Sequence, residues 1–203
     1  MQLQHFIYTS FPGRGWDAVA TSGVSGMIST QLFRGLCQLT RSVPSQSRAY
    51  TPLYNSKLMA VAYLRSALDD LKRPSFWNHT ILCPLDQFND PQFFEDYFIE
   101  NTLDYNLTPI DVDLENSLNR KLFKDDLDRL LKRVGPEQLR DLLASLMYSQ
   151  VAQGYSSVFT SKGKTKEAVE LLSSLYKVLP FHLKNFSCIL GCEPCNGYKY
   201  TLQ

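Results

Sequence analysis

Two stretches of the chain, residues 58–64 and 76–83, are apolar runs, the second interrupted by Asn78-His79-Thr80, and carry Val, Tyr, Phe, Trp, Ile and Thr among their side chains. Branched and aromatic side chains suit a pleated surface better than a helix, and runs this short match strands. The middle of the chain is therefore expected to be sheet. That expectation limits the fold, because every other segment must either extend this sheet or cover it.

Residues 2–9 are rich in the same residue types and read as a strand. Pro12-Gly13 with Gly15 supplies a turn, and residues 16–21 read as a second strand, so the chain is expected to open with a hairpin. The serines at 22 and 25 offer caps for a helix over 26–40, with Met27, Leu32, Leu36 and Leu39 sharing much of one face. Residues 41–56, with Pro44, Pro52 and many serines, read as loop.

Beyond the central strands, Asp90-Pro91 is a capping residue followed by a first-turn proline, which starts a short helix through Phe94 and Phe98. Residues 101–116 read as a polar connection. From about 117 the period becomes helical, with Leu118, Leu122, Leu127, Leu130, Leu131 and Val134 on one face and charges on the other. Gly135-Pro136 ends that helix and begins another, carrying Leu139, Leu142, Leu143, Leu146 and Met147, which predicts an αα-hairpin in the second half. Residues 155–160 read as a strand, 165–179 as a helix stopped by Pro180, and 184–190 and 198–202 as closing strands. The fold class expected from this order is α+β, with a mixed or mainly antiparallel sheet and packed helices.

A chain of 203 residues suits one domain spanning its whole length. Its 12 Phe and 11 Tyr provide a large aromatic area to bury. Lys and Arg total 21 against 20 Asp and Glu, so no net field favours nucleic acid or an anionic membrane, and neither is expected as a partner. The first residues lack the basic and apolar regions of a secretory signal, and no run has the ~18 apolar residues of a spanning helix. A cytoplasmic location follows as the expectation. Five cysteines, an odd number, then favour reduced thiols over a disulfide framework.

Several motifs invite chemistry. Gly163-Lys164-Thr165 copies the end of a phosphate-binding loop between a strand and a helix, but Val158 stands where that loop needs its first glycine. His79 and Cys83 suggest a base and a nucleophile. Four positions apart on a strand, they are separated by about 13 Å at ~3.3 Å per residue, so packing is the expected role of both. His5 and His182 have no sequence-encoded neighbour.

Cys188, Cys192 and Cys195 form a Cys-x3-Cys-x2-Cys cluster. An iron–sulfur loop of this spacing normally opens a barrel, and only residues 196–203 follow. A structural zinc would take the three thiolates and a fourth ligand, with His182 or a distant residue as the candidate. The alternative is that Cys188, inside the apolar run 186–190, packs as a small hydrophobe. No cofactor is expected on the packing reading; zinc or an iron–sulfur centre is expected on the other, which would make the chain a metal-binding or thiol-dependent enzyme.

The order of several features resembles the N-terminal domain of the GTPase-associated protein family of bacterial conflict and signalling gene neighbourhoods. These are Tyr8-Thr9-Ser10 after the first strand, Gly15-Trp16-Asp17-Ala18-Val19-Ala20 before Ser22-Gly23, and a histidine-bearing strand over 76–83. A late strand and helix, then Leu179-Pro180 and a strand at Phe186-Ser187, complete the likeness. In place of that family's glycine-rich approach to the histidine strand, this chain has Leu71-Lys72-Arg73-Pro74, and the cysteine cluster is its own. The resemblance implies a noncatalytic adaptor at the front of a longer protein, binding a GTPase-linked component or the remainder of its own chain. Phe11 and Trp16, around the glycine turn, are the expected interaction residues, because turns present side chains at the surface.

Overall fold

A computed structural model describes residues 2–9, 18–22, 46–53, 57–99, 108–112, 124–151, 158–161, 165–180, 183, 186–191 and 201–202. Its strands are β1 (Gln2–Thr9), β2 (Ala18–Ser22), β3 (Ser47–Leu53), β4 (Leu58–Leu68), β5 (Pro74–Pro84), β6 (Ile110–Asp111), β7 (Val158–Ser161), β8 (Ser187–Leu190) and β9 (Thr201–Leu202). The α-helices are α1 (Lys124–Arg133), α2 (Pro136–Val151) and α3 (Thr165–Val178), and a 3-10 helix spans Pro91–Tyr97. This is an α+β fold.

The strands form one sheet in the order β2-β1-β5-β4-β3-β8-β7-β9, with β6 paired to the start of β1. Pairing is antiparallel from β2 through β8, while β7 runs parallel to β8 and β9, so the sheet is mixed. A parallel pair needs a crossover, and α3 supplies it between β7 and β8.

The near-continuous apolar character of β4 and β5 has a direct cause: both faces of the sheet are buried. Leu3, Tyr50, Met59, Val61, Ile81, Cys83 and Cys188 point to one face, where they meet Leu130 of α1, Leu139 and Leu146 of α2, Leu172 and Tyr176 of α3, and Phe88 and Phe94. Phe6, Ala49, Ala60, Ala62, Leu64, Leu82 and Ile189 are buried on the other face. Five consecutive residues of α3, 172–176, are buried, as expected of a helix covered on more than one side.

The structure corrects four sequence expectations. Residues 47–53 form β3, within the stretch read as loop; β8 pairs only with Arg48, Ala49 and Tyr50, so Pro52 lies past the doubly paired part, where a missing N–H is tolerated. Residues 110–111, read as connection, pair with Gln2 and Leu3 of β1. In α1 only Leu130 of the proposed apolar face is fully buried; Leu127 and Leu131 are exposed, and Asp126 turns inward instead. Met147, assigned to the apolar face of α2, is also exposed.

Gly135 stops α1 as expected, at φ +89°, with its N–H bonded to the carbonyl of Leu131, and Pro136 begins α2. The candidate helix over 26–40 lies outside the described residues.

Candidate functional site

Alternation along β5 sends Trp77, His79, Ile81 and Cys83 to the same face of the sheet. In the neighbouring strands the register sets Ile7 of β1 and Tyr63 of β4 opposite His79, and His5 opposite Ile81. The two histidines therefore lie diagonally across β1 and β5. His79 Nε2 is 3.0 Å from His5 Nδ1.

The backbone fixes where the protons sit. The Ile99 N–H donates to His79 Nδ1 at 2.9 Å, so that nitrogen is bare and the hydrogen of a neutral ring is on Nε2. His5 Nε2 faces the Thr108 carbonyl at 2.6 Å and must donate, leaving Nδ1 bare. Both requirements agree with a hydrogen bond from His79 Nε2–H to His5 Nδ1. The result is one directed chain from the Ile99 amide through both rings to the Thr108 carbonyl.

Burial disfavours the charged form of both rings. It lowers the pKa of His5, against a smaller opposite effect of the Thr108 carbonyl, and with the repulsion of His5 it lowers His79 to about 3. Both are neutral near pH 7. Trp77 Nε1–H donates to the Ile99 carbonyl at 2.7 Å, so two side chains of β5 hold both backbone groups of that residue. Phe98 meets the His79 ring edge-on, with centroids 5.7 Å apart.

Arg48 of β3 lies beside this group. Its guanidinium sits 4.1 Å from the Tyr63 ring centroid and 5.0 Å from that of Phe98. It also donates to both carboxylate oxygens of Glu95, at 2.8, 3.1 and 2.8 Å. Burial opposes its charge, and the Glu95 carboxylate outweighs burial to hold its pKa above the ordinary arginine value. Tyr50, buried nearby, stays a neutral phenol because burial and the Glu95 charge both raise its pKa well above 10.0.

A second polar group ties the helices together. Asp90 caps the 3-10 helix by accepting from the Gln92 N–H at 3.1 Å, and it also accepts from the Ser173 hydroxyl of α3. Asp126 of α1 accepts from Ser174 at 3.1 Å. Between the two carboxylates lies Lys177, its Nζ 3.8 Å from Asp90 and 3.7 Å from Asp126. Asp90 was legible as a cap; its role as the anchor of a buried ion group was not.

The β4–β5 hairpin carries two strongly exposed leucines on a defined backbone. Leu68 and Leu71 expose 66% and 70% of their surface. Their turn is held by Asp69, which accepts from the backbone N–H groups of Leu71 and Arg73 at 2.9 and 2.8 Å and pairs with the Arg73 side chain at 2.7 Å. Lys72 completes the turn at φ +58°. The rungs Ala67–Ser75 and Leu68–Pro74 lie beyond the last rungs that β4 makes with β3 and β5 with β1.

Cys83 shares a face with His79 as expected, but each is engaged elsewhere. The Cys83 thiol donates to the Pro84 carbonyl at 3.4 Å, and burial, with the Asp86 charge, raises its pKa far above that of a reactive thiol. Cys188 is buried in β8, in register with Tyr50 of β3 and Phe159 of β7. Phe11, Trp16, Cys192, Cys195, His182 and residues 162–164 lie outside the described residues. No helix among the described residues is long and apolar enough to cross a membrane. Among known proteins, no family model matches the chain and no curated protein does.

Proposed function

We propose that the chain is a noncatalytic protein-interaction or regulatory module of the cytoplasm, binding a GTPase-linked component or the remainder of its own chain. The observation that carries this reading is the preformed β4–β5 turn, which holds Leu68 and Leu71 in water on a backbone fixed by Asp69. A rigid apolar tip loses little conformational freedom on binding, and burying each leucine in a partner contributes about 1.5–3 kcal/mol before the costs of association.

The state of the buried groups supports the same reading. Both histidine rings are fully committed to hydrogen bonds, and the Cys83 thiol is held protonated. Phe11 and Trp16 belong to the proposed interaction surface, and antiparallel packing of α1 against α2 belongs to the proposed architecture. The test is co-purification with the proteins encoded beside this gene, comparing the native chain with a Leu68→Ser, Leu71→Ser variant. Loss of a retained partner, with unchanged thermal stability, supports the reading. A zinc or iron stoichiometry of one per chain, with unfolding by a chelator, would favour the metal centre at Cys188, Cys192 and Cys195 instead.

A further inference from the structure

The geometry points to an acid-sensitive latch: the His5–His79 pair holds the backbone at Ile99 and Thr108 against the sheet while both rings are neutral, and proton uptake by either ring releases it. This inference is independent of the interaction reading. Its basis is that all four ring nitrogens are committed, in alternating roles, to a single chain of hydrogen bonds.

In such a chain the two bare nitrogens are the only places a proton can go. On His79 Nδ1 it would point at the Ile99 N–H, turning an acceptor into a second donor. On His5 Nδ1 it would oppose the His79 N–H across 3.0 Å. Protonation and the intact chain therefore exclude one another, whichever ring is charged first.

Among the described residues, the surrounding groups do little to offset that conflict. From β3 and the 3-10 helix come Arg48 and Glu95, whose charges are paired with each other. From β4 comes Tyr63, opposite His79, and from β5 the thiol of Cys83 on the same face. Asp111 of β6 is in register with Gln2, and alternation along β1 places Gln2 on the face opposite His5. The depressed pKa values of both rings agree with this arrangement.

Once the latch opens, both histidines meet water and take an ordinary pKa of about 6.5. Below that value the open form binds protons that the closed form refuses, so the opening equilibrium rises as pH falls. For two such histidines the rise is about 100-fold between pH ~7.5 and ~5.5. Local opening that leaves His5 and His79 in place carries no such dependence.

Amide hydrogen exchange of the native protein reads this directly, once rates are corrected for base catalysis of the chemical step. The Ile99 amide should open about 100-fold more often at the lower pH while amides of the β4–β5 turn, such as Leu71 and Arg73, change far less. In a His79→Gln variant, whose amide can accept from Ile99 and donate to His5 without titrating, the increase should fall to about tenfold. Side-chain nitrogen-15 shifts of the native protein, which need no variant, should show the Nε2–H tautomer for both rings at neutral pH. An Ile99 opening constant independent of pH over this range would overturn the latch. So would His5 or His79 titrating near 6.5 with Ile99 protection intact.

Discussion

His79 Nε2 donates to His5 Nδ1 across 3.0 Å, joining positions 74 residues apart in the chain. The bond settles the character of this region, because two rings whose every nitrogen is used to hold backbone and neighbour have no acceptor left for a substrate proton. Removing one ring strands the groups it served. His79→Ala leaves the Ile99 N–H and His5 Nδ1 buried without their partner and should cost about 3 kcal/mol in a denaturant titration. His79→Gln should recover more than half of that loss.

Global stability should show the same histidines. Their folded pKa values lie below 6.5, so the unfolded chain binds more protons in acid; the stability is present above pH 6.5 and declines as pH falls, for His79 down to about 3. The decline should approach about 1.4 kcal/mol per pH unit for His79, and His5 adds to it in the same direction. Denaturant midpoints at a series of pH values, repeated with a His5→Gln, His79→Gln variant, separate this contribution from the carboxylates.

Arg48 and Glu95 should behave as a coupled pair. Arg48→Met removes the guanidinium from the Tyr63 and Phe98 rings and leaves Glu95 without its partner, a loss of about 3 kcal/mol. Glu95 is partly exposed, so Glu95→Gln should cost less, about 1 kcal/mol. The double variant should cost clearly less than the sum of the two, and a double-mutant cycle in denaturant measures that difference.

Lys177 stands between two buried carboxylates, so its removal should be worse than the removal of either one. Lys177→Met removes the cation that lies within 4 Å of both Asp90 and Asp126 and should lower stability by about 3–5 kcal/mol. Combining it with Asp126→Asn should restore part of that loss. Thermal unfolding of Lys177→Met, Asp90→Asn, Asp126→Asn and the Lys177→Met, Asp126→Asn double variant side by side checks both statements.

Much of the fold was legible because burial on both faces requires the continuous apolar runs of β4 and β5, and because Gly135-Pro136 and Asp90-Pro91 are local signals that need no distant partner. β3 is not legible because Ser47 and Pro52 are loop residues by composition; its neighbours β4 and β8 make it a strand. The face of α1 was misjudged for a similar reason. Asp126 points inward toward Lys177 and Ser174, and neither is visible from the sequence of α1. His5 and His79 were each noticed, yet their pairing depends on the register of β1 against β5. The hairpin tip was passed over because Leu68 and Leu71 are marked as exposed only by the Asp69 turn that holds them.

The most direct test of the proposed role is a titration of the purified chain against the proteins encoded by neighbouring genes, by calorimetry, with the Leu68→Ser, Leu71→Ser variant in parallel. Saturable binding by the native chain, weakened at least about tenfold in the variant at equal folded stability, is the expected result; a tenfold loss corresponds to about 1.4 kcal/mol, less than one fully buried leucine contributes. Binding of equal strength by both proteins would contradict the assignment of the hairpin tip. Absence of binding, together with a small-molecule turnover abolished by His79→Gln, would contradict the adaptor itself.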